Sequence, residues 1–399
     1  MVWLNILIFA HDCGLRGAEK VAADQAEALT RRGWKATVVV PCQAGGLAEC
    51  LRRREIDCVH VRYCHWFGTG SLRGRAYRTL SNIVALPRML RIIRSVQPDV
   101  ILVHSIACGV GAIAARLSGT PRIWQFHETG PYGTSSDRGY FDLGERLTVR
   151  AIRWTNCRLL AVSTRIADLY ERKLGVAPVR VVYQAVELDD AHPASDAMAL
   201  ARLSSWPGPK LMIIGSLSPL KDQSAAVRAM PQILEVWPDA GLFLVGDDPL
   251  GTGTEINTLA HDLGISDKVV YLGTLANAGA AIAHADCCIV TSIDEGFGRV
   301  TIEAMLSESS VVAADVEINR EVAGEGNADF FTPSDSRSLA AAINTVLARP
   351  EPNRRAKLTR ANSFARQKFS STVATDALEA ELLACLDRSA PNDTGFEIS

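Results

Sequence analysis

Short apolar runs rich in β-branched residues alternate along the chain with longer segments in which apolar side chains recur at helical spacing. The first pair is residues 4–10, a predicted buried strand, and residues 18–30, a predicted helix with Gly33 just beyond its end. Further strands are predicted at 36–40, 100–104, 122–127, 159–163 and 179–183. This alternation is typical of a parallel α/β sheet with helices on its faces.

A second series of the same kind follows a segment rich in turn residues, which ends in Trp-Pro-Gly-Pro at 206–209. Strands are predicted at 210–215, 241–246, 269–273, 287–292 and 311–314, and residues 336–388 are predicted to be helical only. Two such series predict an α/β fold of two doubly wound, Rossmann-like domains that face a central cleft. The predicted boundaries are 1–188 for the first domain, 189–209 for a linker, 210–365 for the second domain, 366–390 for a helix returning to the first domain, and 391–399 for a tail.

Composition excludes several other classes of protein. The chain has 399 residues, of which 48% are hydrophobic and 22% charged, and no apolar run reaches the roughly 18–20 residues of a membrane span. The first residues carry no basic leader, so we expect a cytoplasmic protein. Its 10 cysteines are scattered without a C-x-x-C, which argues against a disulfide framework. Cys58, His60, Cys64 and His65 match no familiar metal-ligand spacing, so we predict neither a metal nor a cofactor.

Charge is distributed unevenly along the chain. The first half is basic and the second half acidic, and between residues 49 and 96 ten arginines stand against three acidic residues. Such a surface attracts polyanions, and the absence of a nucleic-acid-binding signature favours an anionic membrane over nucleic acid. Apolar residues and arginines mix along residues 76–96, as in a helix lying on the inner face of a membrane, although an ordinary amphipathic helix has the same pattern.

The strongest local pattern is the segment Asp294-Glu295-Gly296-Phe297-Gly298-Arg299-Val300-Thr301-Ile302-Glu303, which joins a predicted strand to a predicted helix. Its glycines allow a tight turn, and the first N–H groups of the helix form an anion site. The two glutamates can accept hydrogen bonds from hydroxyls of a sugar or ribose. They also have a simpler explanation, since acidic residues near a helix start complement the helix dipole.

This segment resembles the E-x7-E motif of the family 4 retaining glycosyltransferases, which have the GT-B fold. Other stretches resemble that family in the same order, at residues 14–20, 98–104, 122–128, 160–163 and 215–221. The resemblance implies that a nucleotide-sugar donor binds mostly to the second domain, that an acceptor binds to the first, and that the anomeric configuration is retained without a metal. It implies catalytic roles for Glu295, His127 and Lys221, and donor binding by Gly14, Gly17, Ser216, Gly296, Phe297, Gly298, Arg299 and Glu303.

One position departs from the family pattern. Ser216 stands where the family usually has an arginine that binds the diphosphate, and Arg299 is our candidate for the replacement cation. We therefore predict a hexosyltransferase of cell-surface polysaccharide or glycolipid synthesis, acting on a glycan or lipid-linked acceptor. The alternatives are a non-catalytic subunit of the same fold that binds sugar nucleotides or glycans, and an epimerase or phosphorylase. A Rossmann oxidoreductase is disfavoured because the G-x-G-x-x-G fingerprint is absent.

Overall fold

The computed structural model describes residues 4–15, 17–133, 139–175, 178–188 and 193–387. The chain divides into two compact units. The first unit comprises residues 1–185 together with the C-terminal segment from residue 371, and the second unit comprises residues 186–370. Each unit is built around its own parallel sheet, which confirms the predicted α/β class with two doubly wound domains.

The first unit contains a parallel sheet of seven strands in the order β3-β2-β1-β5-β6-β8-β9, and a separate antiparallel pair, β4 with β7. The strands are β1 (Asn5–Phe9), β2 (Lys35–Val40), β3 (Asp57–His60), β4 (Phe67–Gly68), β5 (Val100–His104), β6 (Arg122–Phe126), β7 (Tyr140–Phe141), β8 (Arg158–Ala161) and β9 (Arg180–Val181). The helices that precede the second unit are α1 (Gly17–Arg31), α2 (Gly46–Arg53), α3 (Leu72–Val96), α4 (Gly109–Ser118), α5 (Glu145–Thr155) and α6 (Thr164–Leu174).

The second unit has a parallel sheet of six strands in the order β12-β11-β10-β13-β14-β15. The strands are β10 (Lys210–Ile214), β11 (Gly241–Val245), β12 (Val269–Gly273), β13 (Cys287–Val290), β14 (Ser310–Ala314) and β15 (Asp329–Phe331). Its helices are α7 (Ala197–Ser204), α8 (Gln223–Leu234), α9 (Thr252–Asp262), α10 (Ala278–Ile282), α11 (Arg299–Leu306), α12 (Glu317–Ala323), α13 (Ser336–Leu347) and α14 (Glu351–Phe369).

The last helix, α15 (Ser371–Leu386), belongs to the first unit. Its Leu378 and Leu382 are buried in the same core as strand β1. Glu379 accepts a hydrogen bond from the Trp34 indole at 2.8 Å and pairs with Arg32 at 2.8 Å. Apolar burial drives this packing, and the polar contacts fix how the helix lies against the residues that follow α1.

The segment predicted as a linker has a structure of its own. Helix α7 lies within residues 189–209, and from residue 193 the segment is described as part of the second unit. Asp196, just before α7, accepts hydrogen bonds from the backbone N–H groups of Ala276 and Asn277, at 3.1 and 2.8 Å. The turn residues that suggested a linker thus flank a short helix that is tied to the loop after β12. The predicted tail, 391–399, lies outside the described residues.

One further feature was not predicted. Cys13 and Cys42, in the loops after β1 and β2, form a disulfide, with Cα atoms 6.0 Å apart. Their pairing follows from the adjacency of β1 and β2 in the sheet rather than from any spacing in the sequence. Among the described residues, no helix is long and apolar enough to cross a membrane.

Candidate functional site

A loop of the second unit, residues 291–298, joins β13 to α11 and carries three of the predicted donor-binding residues, and two more lie on α11 itself. Gly298 ends it with a φ of 74°, in the left-handed region that favours glycine. A Cβ atom at Gly298 would lie 3.2 Å from Cγ2 of Val322, so the backbone conformation favours glycine and the packing leaves little room for a side chain. The first N–H groups of α11 follow directly and form the positive end of the helix dipole.

Lys221 and Glu295 form an ion pair between their side chains. The two side chains are 25% and 17% exposed, so the pair is shielded but reaches solvent. Two hydrogen bonds hold their loops together. The Thr291 hydroxyl donates to the carbonyl of Lys221, and the N–H of Ile293 donates to the carbonyl of Leu220 at 3.1 Å. The structure therefore brings together two predicted catalytic residues that are far apart in the sequence.

Arg299 and Glu303 also form an ion pair, at 3.3 Å, one turn apart on α11. Their side chains are 16% and 19% exposed. Arg299, which was predicted to replace the missing arginine, is thus already bonded to Glu303, the second glutamate of the motif. Phe297 has a different environment, because its ring is buried and packs edge-on against Phe369 with centroids 5.7 Å apart. Any contact of Phe297 with a ligand would come from its backbone.

Ser216 follows β10, and its hydroxyl donates a hydrogen bond to Asp247, which follows β11. The two loops approach closely, since a Cβ atom at Gly246 would lie 2.1 Å from the carbonyl oxygen of Gly215. Where the sequence resemblance implies an arginine, the structure therefore has a hydroxyl bonded to a carboxylate. Asp247 was not among the predicted site residues.

In the first unit, His127 directly follows β6 and is buried. Its Nδ1 lies 2.9 Å from the side-chain Nε2 of Gln184, and its ring stacks on that of His104, with centroids 4.8 Å apart. Burial, with smaller contributions from His104 and His11, holds the pKa of His127 well below the usual histidine value. An amide N–H donating to Nδ1 leaves the proton of the neutral ring on Nε2, which is buried and bonds to no described residue.

Two further histidines lie at neighbouring strand ends. His104, the last residue of β5, is completely buried, and burial lowers its pKa to about 3. His11 lies just beyond β1, and its Nε2 is 3.0 Å from the buried carboxylate of Glu19 in the first turn of α1. The pKa of His11 is raised, because burial lowers it less than the hydrogen bond to Glu19 and the charges of Glu128, Glu19 and Asp12 raise it.

The sequence prediction therefore named only some of the residues that lie at these strand ends. Gly14 lies in the loop that leads into α1, and Gly17 is the first residue of that helix. No role was predicted for His11, Glu19, His104 or Gln184, yet each is at or near a loop that follows a parallel strand. That position was a signal that could have been used, since ligands of parallel sheets bind at the carboxyl ends of strands. Among the described residues, no group of three or more His, Cys, Asp or Glu side chains is arranged to hold a metal ion.

Two family profiles match the chain. "Glycosyltransferase Family 4" matches residues 15–190, and "Glycosyl transferases group 1" matches residues 208–349. The two matches fall on the two sheets, one profile to each. Together with the relatives below, they support a glycosyltransferase of the family 4 type.

The curated relatives are glycosyltransferases that act on different acceptors. The chain is 29% identical to a D-inositol 3-phosphate glycosyltransferase of Acidothermus cellulolyticus, over 66% of this chain and 62% of that protein. It is 26% identical to a 2-deoxystreptamine glucosyltransferase of Streptomyces kanamyceticus, over 67% and 73% of the two chains. It is 30% identical to a phosphatidyl-myo-inositol mannosyltransferase of Mycobacterium tuberculosis, over 40% and 42%. The matches thus span about three fifths of the first of these relatives and less than half of the last.

Solved structures share the fold over nearly the whole chain. Anabaena HepE in complex with UDP aligns with a TM-score of 0.77 at 23% identity, over 96% of this chain and 100% of that one. A glycosyltransferase from Rickettsia africae aligns with a TM-score of 0.78 at 16% identity, over 97% and 100%. These likenesses confirm the predicted GT-B fold class.

Proposed function

We propose that the chain transfers a hexose-type sugar from a nucleotide-sugar donor to a glycan or lipid-linked acceptor, with retention, in the synthesis of a cell-surface polysaccharide or glycolipid. The observation that carries the proposal is the pairing of Lys221 with Glu295 beside the start of α11. A lysine, a carboxylate and the positive end of a helix dipole in one place suit a ligand with both phosphates and hydroxyls. The structural comparison supports the same function, since HepE was crystallised with UDP and with UDP-glucose.

In this proposal the second unit binds the donor. Glu303 accepts hydrogen bonds from the ribose hydroxyls, and Glu295 with the backbone of Gly296 and Gly298 holds the sugar. Lys221 stabilises the charge that grows on the leaving diphosphate, a role that a metal ion fills in other transferases. Arg299 contributes a second cation to the same group, which compensates for Ser216. The pairs with Glu295 and Glu303 keep both cations in place before the donor arrives.

The first unit, we propose, serves the acceptor and the reacting sugar. The proton on Nε2 of His127 makes this residue a hydrogen-bond donor toward a sugar or phosphate oxygen. Gly14 and Gly17, before and at the start of α1, offer backbone N–H groups to a phosphate. Helix α3 has six arginines and no acidic residue, which favours docking on an anionic membrane that carries a lipid-linked acceptor.

Calorimetric titration with a panel of nucleoside diphosphates and nucleotide-sugars, without divalent metal, tests the donor site. We expect one nucleotide to bind, and Glu303→Ala to weaken it by at least tenfold because a pair of ribose hydrogen bonds is lost. Glu235→Ala, at an exposed position just after α8, is the matched control and should bind as the wild type does. Binding that Glu303→Ala leaves unchanged would place the donor elsewhere, and no binding by any nucleotide would reject the donor proposal.

A second candidate function is a non-catalytic subunit that binds sugar nucleotides or glycans. The hydrogen bond between Ser216 and Asp247 favours it, because it places a carboxylate near the position where the resemblance implies a cation. The two functions can be separated by incubating the protein with the nucleotide-sugar that it binds. One set of reactions contains candidate acceptors, and the other contains water alone. Release of nucleoside diphosphate that is lost in Lys221→Met supports transfer, whereas tight binding without any turnover supports the non-catalytic subunit.

A further inference from the structure

A cavity of about 150 Å³ lies in the first unit between helices α3, α4 and α5, away from every residue assigned above to sugar transfer. The side chains that line it are mostly large and apolar, and include Trp66, Ile83, Leu86, Val110, Ile113 and Leu147. A cavity of about this size lined by such residues is known to bind a benzene-sized apolar ligand. It therefore has room for about five or six carbon atoms.

Two polar side chains in the lining are bonded to other parts of the protein. The side-chain oxygen of Asn82 accepts a hydrogen bond from the N–H of Cys64 at 2.9 Å. The buried carboxylate of Asp142 is bonded to the guanidinium of Arg78, with Nε 3.0 Å from Oδ2. Most of the lining is hydrocarbon surface, so the cavity suits an apolar ligand far better than a sugar or a nucleotide.

The apolar surface continues from the cavity to the outside of the protein. Ile83 and Leu147, which line the cavity, are 61% and 55% exposed. Leu80 and Val84 on α3 and Leu143 before α5 are between 58% and 61% exposed. Large apolar side chains grouped in this way on a surface mark a binding face, whereas a single exposed leucine does not.

Charge around this face decides which partner fits it. The exposed arginines of the two helices are Arg73, Arg88, Arg91 and Arg94 on α3 and Arg146, Arg150 and Arg153 on α5. In the described part of the chain, Arg88, Arg91 and Arg94 pair with no acidic side chain, and α3 contains none. Two copies of this face would repel each other, whereas an anionic amphiphile complements it with both its chain and its head group.

We propose that this cavity binds the end of a hydrocarbon chain whose anionic head group lies among the arginines of α3 and α5. The inference builds on the proposed docking to an anionic membrane and goes beyond it, because adsorption to a surface needs no cavity. A chain that leaves a bilayer for the cavity moves from one apolar medium to another, so the exchange costs little. Occupation of the cavity would hold the first unit at one depth and orientation on the membrane.

Calorimetry with a series of alkyl phosphates, from butyl to dodecyl and each below its critical micelle concentration, tests the proposal without any sugar substrate. We expect affinity to rise about fourfold for each added methylene, as for transfer out of water, and to level off once about six carbons are buried. Ala151→Phe fills the cavity from α5 and should abolish the dependence on chain length while leaving the weak binding of butyl phosphate. Ala76→Phe, at an exposed position of α3 outside the lining, is the matched control and should keep the wild-type dependence.

Ile83→Trp, at the exposed rim of the cavity, gives the same test if Ala151→Phe does not fold. A dependence on chain length that both filling variants retain would overturn the proposal, since the chain would then bind elsewhere. Affinity that does not change with chain length in the wild type would also overturn it. So would a dimer, detected by sedimentation, that forms without amphiphile and dissociates in the filling variants. None of these results bears on donor binding, so failure of this proposal is distinguishable from failure of the glycosyltransferase assignment.

Discussion

Acid should destabilise the first unit through His104, and the size of the effect follows from its burial. The side chain is completely buried, neither ring nitrogen bonds to a described residue, and burial lowers its pKa from 6.5 to about 3. Above pH 6.5 the ring is neutral in the folded and the unfolded chain, so the pH does not matter. Below pH 6.5 His104 becomes protonated in the unfolded chain, whereas in the folded chain it stays neutral down to about pH 3. The free energy of unfolding therefore falls as the pH falls.

The free energy of unfolding should fall by about 2 kcal/mol between pH 7 and pH 5, since each unit of pH below 6.5 lowers it by up to about 1.4 kcal/mol. His104→Leu replaces the ring with an apolar side chain of similar volume and removes this term. The variant should therefore lose about 2 kcal/mol less than the wild type over the same range of pH. His11 has the opposite sign, because its raised pKa stabilises the folded chain below the unfolded value and that stability is lost as the pH rises.

The assay is urea unfolding at pH 7, 6 and 5, followed by hydrogen-exchange mass spectrometry of peptides that contain β5 and β6. Local peptides are needed because the two units need not unfold together. His261→Leu is the control, since His261 is 84% exposed in the second unit and should leave the pH dependence of these peptides unchanged. Parallel pH dependences in the wild type and His104→Leu would refute the argument that a buried neutral histidine sets the acid sensitivity.

Two further predictions concern the loop before α11. Arg299→Ala should weaken binding of a nucleoside diphosphate about tenfold, because a charge-assisted contact is lost, and unchanged affinity in calorimetry would show that Arg299 does not replace the missing arginine. Gly298→Ala should lower the unfolding free energy of the second unit by about 1–2 kcal/mol for the left-handed backbone, and by more through the contact with Val322. Gly264→Ala has a similar φ of 68° but open space around it, so in urea unfolding it isolates the backbone term, and equal losses in the two variants would rule out crowding.

The sequence predicted the strands best where the apolar run is continuous. Strands β5 and β12 have the predicted bounds, and most others differ by one or two residues at an end. Strand β15 was missed because Asp329–Phe331 is only three residues long and begins with a charged residue at the edge of its sheet. Short edge strands are stabilised by their neighbour rather than by their own pattern, so periodicity alone does not reveal them.

The candidate sites were harder to predict than the strands because they depend on the order of strands in the sheet. His11, His104 and His127 come together because β5 lies between β1 and β6 in the sheet, although three strands separate β1 from β5 in the sequence. The same reasoning applies to Ser216 and Asp247, which follow the neighbouring strands β10 and β11. Spacing showed that these residues end strands, and only the topology shows which ends lie side by side.

The ion pairs of the second unit imply a further test, because they make the carboxylates competitors of the diphosphate. Lys221 is bonded to Glu295 and Arg299 to Glu303. A diphosphate that binds to these two cations therefore takes the place of the carboxylates. The released carboxylates are then available to accept hydrogen bonds from the sugar and the ribose. Each pair thus holds a cation in position and keeps a hydrogen-bond acceptor beside it.

If this exchange occurs, Glu295→Gln should change the affinity for two ligands by different amounts. A nucleoside diphosphate without a sugar should bind about tenfold more tightly, because Lys221 no longer leaves a carboxylate partner. The intact nucleotide-sugar should gain less, and its transfer should slow, because the carboxylate that accepts from the sugar is gone. Calorimetry with both ligands, and Glu235→Gln as the control at an exposed site, measures the difference. Equal changes in affinity for the two ligands would mean that Glu295 does not contact the sugar, and its position beside Lys221 would then serve only to hold the lysine.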